Sequence, residues 1–238
     1  MPRATTRLAA LIAPAVAAAA LCTPAAEAVD TLRVSDELAS TYWAPVLKEV
    51  PVRAAPARGA RRVGALGRWT FYGFRNVVIV LRETSEGRPW AFVRYPGLGT
   101  RTGWVPAEAL GHRGHTDRAI VVNRARTRLR VLSAGRTLFT TRVGIGAAGS
   151  PTPAGRTYLR ERLVPAKRSG IYGVLAFGLS AYSPYRTDWA GGGQVGIHGT
   201  DQPYLIPGRI SNGCIRLRNE AIRRVDRLTG VGTPVLVR

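Results

Sequence analysis

The sequence predicts a mainly β chain: a small β-barrel followed by a β-rich sandwich that carries one main helix. Three observations predict it. From Trp43 to Leu110, short apolar or alternating runs are broken by Gly and Pro, and none has a helical period. From Asp117 onward, strand-like runs resume. One stretch alone, Asn219–Leu228, places its apolar residues at helical spacing. The 238 residues suit one large domain or two small ones, and a hydrophobic content of 45% excludes a wholly disordered chain.

Met1–Ala28 reads as a secretory signal. Arg3 and Arg7 give it a basic start, Leu8–Cys22 is apolar, and Ala26-Glu27-Ala28 is a small-x-small cleavage site. The 15-residue apolar run falls short of the roughly 20 that a spanning helix needs, so cleavage is expected, with no membrane span in the mature chain. Leu21 directly before Cys22 speaks against lipidation, which wants a small residue there. Residues 29–41 form a short polar leader. Within 42–110, Val77–Leu81 is a continuous β-branched run, and Trp90, Phe92 and Arg94 alternate with Ala91, Val93 and Tyr95. Arg101–Val105 passes through Gly103 into an aromatic strand, and Trp69, Trp90 and Trp104 are expected in the core. Residues 111–116 (GHRGHT) form a polar linker. Its His112 and His115 have no carboxylate or thiol beside them, so neither a metal nor another cofactor is expected. Within 117–238, Ala119–Val122, Leu129–Val131 and Leu138–Val143 read as strands, with Ala134-Gly135 as a turn. In the helix, Ala221, Ile222, Val225 and Leu228 make the apolar stripe, and Arg223, Arg224 and Arg227 face water. Asn219 is the expected cap, Gly230 and Gly232 the stop, and Pro234–Val237 a last strand.

Charge narrows the partners. Lys and Arg number 35 against 14 Asp and Glu, for a net +21. Loss of Arg3, Arg7 and Glu27 with the signal leaves +20, of which +14 lies on residues 117–238. Such a charge calls for an anionic partner: nucleic acid, an acidic membrane surface, or an anionic polymer outside the cell. Export puts the partner outside, and no recognition helix or aromatic ribonucleoprotein motif is present, so nucleic acid ranks last. Gly144–Gly149 spells G-x-G-x-x-G, but Pro151 and Pro153 follow at once and cannot carry the helix that a dinucleotide site requires.

Signal removal also leaves Cys214 as the lone cysteine, with no internal disulfide open to it. Ser211-Asn212-Gly213 before it forms a tight polar turn, and Gly213 lets backbone N–H groups approach the sulfur, where they can hold an oxyanion. His198 lies 16 residues upstream in a Gly-rich setting, within reach of a returning loop. An imidazole beside the thiol would draw it toward thiolate and then protonate a leaving amine. The same spacing also fits a structural Cys and a structural His.

The stretch Ile197–Asn219 (IHGTDQPYLIPGRISNGCIRLRN) resembles the L,D-transpeptidase catalytic domain of the YkuD type, in its HG and in its SNGCIRL. The resemblance spans Asp117–Arg238: Thr152-Pro153-Ala154-Gly155 resembles the family's TPxG segment, and Val231–Val235 its closing GTPV. It implies a β-rich sandwich and a cysteine thioester mechanism on peptidoglycan stem peptides, cross-linking strands through two diamino acids. It further implies Cys214 as nucleophile and His198 as base, with Gly199 supplying a backbone carbonyl that orients the imidazole. Ser211, Gly213 and Arg216 would line the site. Many members carry a second His two positions before the Cys; here Asn212 stands there, so His198 would carry both proton transfers, and Asn212 becomes part of the donor wall.

Residues 42–110 resemble a bacterial SH3-like domain through Val52–Pro56 (VRAAP) and Gly103-Trp104-Val105. That implies either binding of wall peptides or glycans, or a packing and spacing role. Arg216 would grip a substrate carboxylate or pair with an internal acid. Tyr172 and Tyr182 are candidate cleft walls, or core. The expectation is an exported, monomeric L,D-transpeptidase held at the wall or in the periplasm by anionic cell-wall polymers. Water in place of the acceptor amine would make it an L,D-carboxypeptidase, and loss of activity would leave a wall-binding protein.

Overall fold

A computed structural model describes residues 30–238 except 86, 88, 189 and 190. The signal segment with Cys22 lies outside the described residues. The chain is mainly β, with one α-helix among the described residues. No helix among them is long and apolar enough to cross a membrane.

The first half contributes β1 (Thr31–Arg33), β2 (Thr41–Pro45), β3 (Val50–Arg53), β4 (Arg62–Leu66), β5 (Val77–Thr84), β6 (Trp90–Tyr95), β7 (Gly97–Leu98), β8 (Arg101–Pro106) and β9 (Gly114–Thr116). Eight of these form an antiparallel sheet in the order β4-β3-β8-β6-β5-β2-β9, with β1 added on β5. The unbroken Val77–Val80 run has a simple cause. Val78 and Val80 face the sheet's own core, whereas Val77 and Ile79 face the second sheet, so both sides of β5 are dry. Trp90 and Trp104 are buried, but Trp69 is not: it is 55% exposed, with the Arg75 guanidinium 4.3 Å from its ring centre. Within the 111–116 segment, Gly114–Thr116 is itself the strand β9, paired with β2.

The second half contributes β10 (Arg118–Asn123), β11 (Arg128–Ser133), β12 (Arg136–Arg142), β13 (Gly144–Gly146), β14 (Gly155–Leu163), β15 (Ala176–Tyr182), β16 (Gln194–His198), β17 (Gly208–Ser211), β18 (Ile215–Arg216), α1 (Asn219–Leu228) and β19 (Pro234–Val237). The sheet runs β12-β11-β10-β19-β14-β15-β16-β18-β13-β17, and β7 joins it by pairing in parallel with β15. Its core is sealed by Ala221, Ile222 and Val225 of α1, while Arg223, Arg224 and Arg227 stay exposed. The G-x-G-x-x-G stretch begins as β13, and the Gly146 N–H donates to Thr152 Oγ1 at 2.9 Å.

The two halves share a seam. Tyr158 is fully buried against Val77 and Ile79, and its hydroxyl donates to the Val77 carbonyl at 2.9 Å. Next to it, Arg160 Nε donates to Asn76 Oδ1 at 2.9 Å. One residue further along β14, Glu161 accepts from Thr70 Oγ1. A tyrosine, a guanidinium and a carboxylate in sequence are therefore all buried and all partnered, as burial of polar groups demands.

Candidate active site

β16 and β18 lie side by side in parallel, with Ile197 opposite Ile215 and His198 opposite Arg216. This register brings the chain's thiol to its imidazole. A β-carbon built on Gly196 would lie 3.8 Å from His198 Cδ2 and 3.9 Å from Cys214 Sγ, so the thiol and the imidazole both border the space that glycine leaves open there. The Gly196 N–H points at the sulfur, at 3.4 Å.

Cys214 leaves the Ser211–Gly213 turn. Ser211 Oγ donates to the Cys214 carbonyl at 2.5 Å and accepts the Gly213 N–H at 3.3 Å, which closes the turn. Gly213 has φ of +110°, a conformation that side chains disfavour. Burial pushes the thiol pKa up, against the opposing pull of the Gly196 N–H and the Arg216 charge.

His198 is buried, and that burial pushes its pKa down to about 4, helped by Arg216 and opposed by the Gly199 carbonyl and by Asp201. Its Nδ1 lies 2.6 Å from the Gly199 oxygen. A carbonyl only accepts, so Nδ1 carries the proton and Nε2 is the basic nitrogen of the neutral ring. Tyr172 packs edge-on against the imidazole, with ring centres 5.0 Å apart.

The peptide unit that carries the Gly199 carbonyl is held, through its Thr200 N–H, by a residue that reads in the sequence as a helix cap. The helix N-cap is Arg218, without a side-chain bond. The Asn219 side chain instead turns to the loops behind His198. Its Oδ1 accepts from the N–H groups of Val174 (3.3 Å) and Thr200 (3.2 Å), and its Nδ2 donates to the Thr200 carbonyl at 3.1 Å. Gly199 must be glycine here, because a β-carbon would come within 2.2 Å of Asn219 Oδ1.

Two clefts, each about 200 Å³, meet at Cys214, His198 and Tyr172. One is polar and cationic, walled by Ser211, Asn212, Arg186 and Arg216. The other is apolar, walled by Leu163, Val164, Pro165, Phe177 and Tyr72. Arg216 forms no ion pair with any described carboxylate, and its buried Nε has no hydrogen-bond partner. Of the residues singled out in the sequence, Cys214, His198, Ser211, Asn212, Arg216 and Tyr172 line these clefts, and Gly213 and Gly199 shape the backbone beside them. Tyr182 lines neither cleft; its hydroxyl accepts from Arg160 at 3.0 Å. Tyr72 and Asn219 escape a sequence reading of the site, since the one lies on a distant segment and the other imitates a cap.

Comparison with known proteins gives a consistent result. The family model described as L,D-transpeptidase catalytic domain matches residues 117–237. A curated relative, the probable L,D-transpeptidase YbiS of Escherichia coli K12, is 34% identical over 131 residues, covering 49% of this chain and 43% of the relative. The chain thus spans less than half the length of that relative. Among solved structures, the catalytic domain of an Enterococcus faecium L,D-transpeptidase matches at 28% identity, covering 51% of this chain and 97% of that one, with a TM-score of 0.38. Bd1075 of Bdellovibrio bacteriovorus matches at 28% identity, covering 52% and 48%, with a TM-score of 0.41. The family model covers the whole stretch from β10 to β19, which carries the thiol, the imidazole and every cleft residue except Tyr72, and the chain belongs to the L,D-transpeptidase catalytic-domain family.

Proposed function

We propose that the protein is an exported cysteine L,D-transpeptidase that cross-links peptidoglycan stem peptides through a thioester on Cys214. The observation that carries this reading is the thiol and imidazole brought together beside Gly196, at the meeting point of two chemically different clefts. Cys214 Sγ attacks the carbonyl of the third stem residue as His198 Nε2 takes the thiol proton. The Cys214 N–H holds the oxyanion. The C–N bond to the fourth residue then breaks, and His198 returns the proton to the departing amine. An incoming amine attacks the thioester, its proton passes to His198, the C–S bond breaks, and the thiolate recovers the proton. Because one imidazole serves both amines, the leaving and incoming amines occupy the same side of the thioester. The leaving amino acid carries its carboxylate one carbon from the amine, and the unpaired Arg216 guanidinium in the cationic cleft is its natural partner. With both groups neutral at rest, the thiol proton passes to Nε2 as the sulfur attacks, so no free thiolate has to persist in the buried site.

Residues 42–110 act as an SH3-like unit attached to this catalytic half, and the net positive charge holds the protein on anionic wall polymers. The test is intact mass after incubation with a carbapenem and with a stem tetrapeptide. Wild type gains a covalent adduct that Cys214→Ala does not. A folded wild type that gains none with either reagent refutes the reading.

A further inference from the structure

The apolar cleft is not made by the catalytic half alone. Tyr72, one of its walls, belongs to the first half of the chain, on the turn between β4 and β5, about ninety residues upstream of its neighbour Leu163 in the cleft. It rides on a turn that is closed internally, with Thr70 N–H on the Phe74 carbonyl at 2.8 Å and Gly73 at φ +79°. The turn is fastened to the second sheet by a buried polar chain. Thr70 donates to Glu161, and Glu161 also accepts from Gln194 Nε2 at 2.7 Å. Gln194 starts β16, the strand that ends in His198, and itself lines the cleft. On the far side, the Tyr72 hydroxyl crowds Gly191 so closely that a β-carbon there would sit 3.0 Å from it. The ring, 39% exposed, thus lies against Gly191 of the catalytic half and turns its other face to the cleft.

On the proposed function, from which this inference follows, the cationic cleft belongs to the leaving and incoming amino acids. The acyl part of the donor must then extend into the other cleft. Among its lining residues, the titratable groups are two tyrosines, His198 and Cys214; none is a carboxylate or a permanent cation. Such walls suit the methylene stem of a long side chain, which gains by leaving water while its charged end stays at the solvent-facing mouth, and not a buried carboxylate. We propose that the apolar cleft holds the aliphatic arm of the donor's third residue, and that Tyr72 makes the turn between β4 and β5 part of the donor-binding site. The first half of the chain is then a specificity element of the enzyme as well as an attachment.

The experiment compares acylation of full-length protein by two tetrapeptides, one with a diamino acid at the third position and one with alanine there. Wild type prefers the longer arm by about 10-fold. In Tyr72→Ala this preference falls toward 1, and in Tyr72→Phe, which keeps the ring, it stays. A purely structural Tyr72 would slow both peptides alike and leave the ratio at its wild-type value, which overturns the proposal, as does an unchanged ratio with unchanged rates. A wild type acylated by both peptides without preference overturns it too. Failure of wild type to be acylated at all is a separate outcome, which removes the functional reading and this inference with it.

Discussion

Acid should weaken this fold through one buried ring. His198 is 3% exposed, and desolvation pushes its pKa from 6.5 down to about 4. In the unfolded chain the same imidazole titrates near its ordinary value. Above that value both states hold a neutral ring, and the folded state keeps its full stability. As the pH falls below about 6.5 the unfolded chain takes up a proton that the folded chain refuses. Stability therefore drops by about 1.4 kcal/mol per pH unit until the folded ring also protonates, near 4. The accumulated loss is about 3 kcal/mol over that window. His198→Gln removes the titration while leaving the carboxylates that protonate in both proteins. Urea unfolding of wild type and variant at pH 7.5, 6.5, 5.5 and 4.5 isolates the term as a difference. The expected result is a wild-type advantage that shrinks steadily below pH 6.5, and an imidazole NMR titration with its midpoint near 4. A difference that stays flat across the window, with a midpoint near 6.5, would refute the reasoning, since the ring would then be reaching solvent in the folded protein.

Three further outcomes follow from the same geometry. Asn219→Ala removes three hydrogen bonds behind His198 and should cost about 2–3 kcal/mol in urea unfolding. Cys214 acylation should fall by up to about 100-fold in the folded variant as the Gly199 carbonyl loosens its hold on the imidazole; a wild-type rate would show that the carbonyl stays in place without it. Gly213→Ala forces a β-carbon onto φ +110° and should cost about 1–3 kcal/mol while slowing thioester formation; thermal melts and adduct kinetics check the two effects separately. Tyr158→Phe leaves the buried Val77 carbonyl without its 2.9 Å donor and should cost about 1–2 kcal/mol, read as a lower urea midpoint at constant slope.

Local features of the sequence reach far into this structure, and the places where they stop have physical causes. The helix Asn219–Leu228 and the strand Pro234–Val237 follow from periodicity and from the Gly stop between them, because both are decided within a few residues. The meeting of Cys214 and His198 is legible for a similar reason: each sits beside a short strand, and the connector is just long enough to return one strand beside the other. Trp69 is misread because aromatic residues in short strands usually point inward; here it lies on a turn and takes Arg75 as its cover. For Tyr182 the sequence leaves cleft wall and core both open, because its partner, Arg160, is brought beside it only by the pairing of β14 with β15. Tyr72 is out of reach altogether, since no local pattern records which distant turn will close a cleft. Asn219 shows the opposite failure. Its position before a helix suggests a familiar local role, while its amide is used by loops some twenty and forty-five residues away.

The parallel pairing of β16 with β18 has a bearing on how such a site can diversify. The reactive pair is set by which residue of one strand lies opposite which residue of the other, and the Leu217 N–H to His198 carbonyl bond at 2.8 Å extends the same ladder. The fifteen intervening residues, from Gly199 to Gly213, contribute Ser211 and Asn212 to the polar cleft, but their number does not set the alignment. Doubling the length of such a connector adds only about 0.6 kcal/mol of closure entropy, whereas a shift of one residue in the ladder would turn the imidazole to the opposite face. Insertions and deletions are thus tolerable in the largely exposed stretch Asp201–Leu205 and forbidden in the two strands that meet each other. The chemistry is fixed by a strand register, and the length of the loop that joins the two strands is free to vary around it.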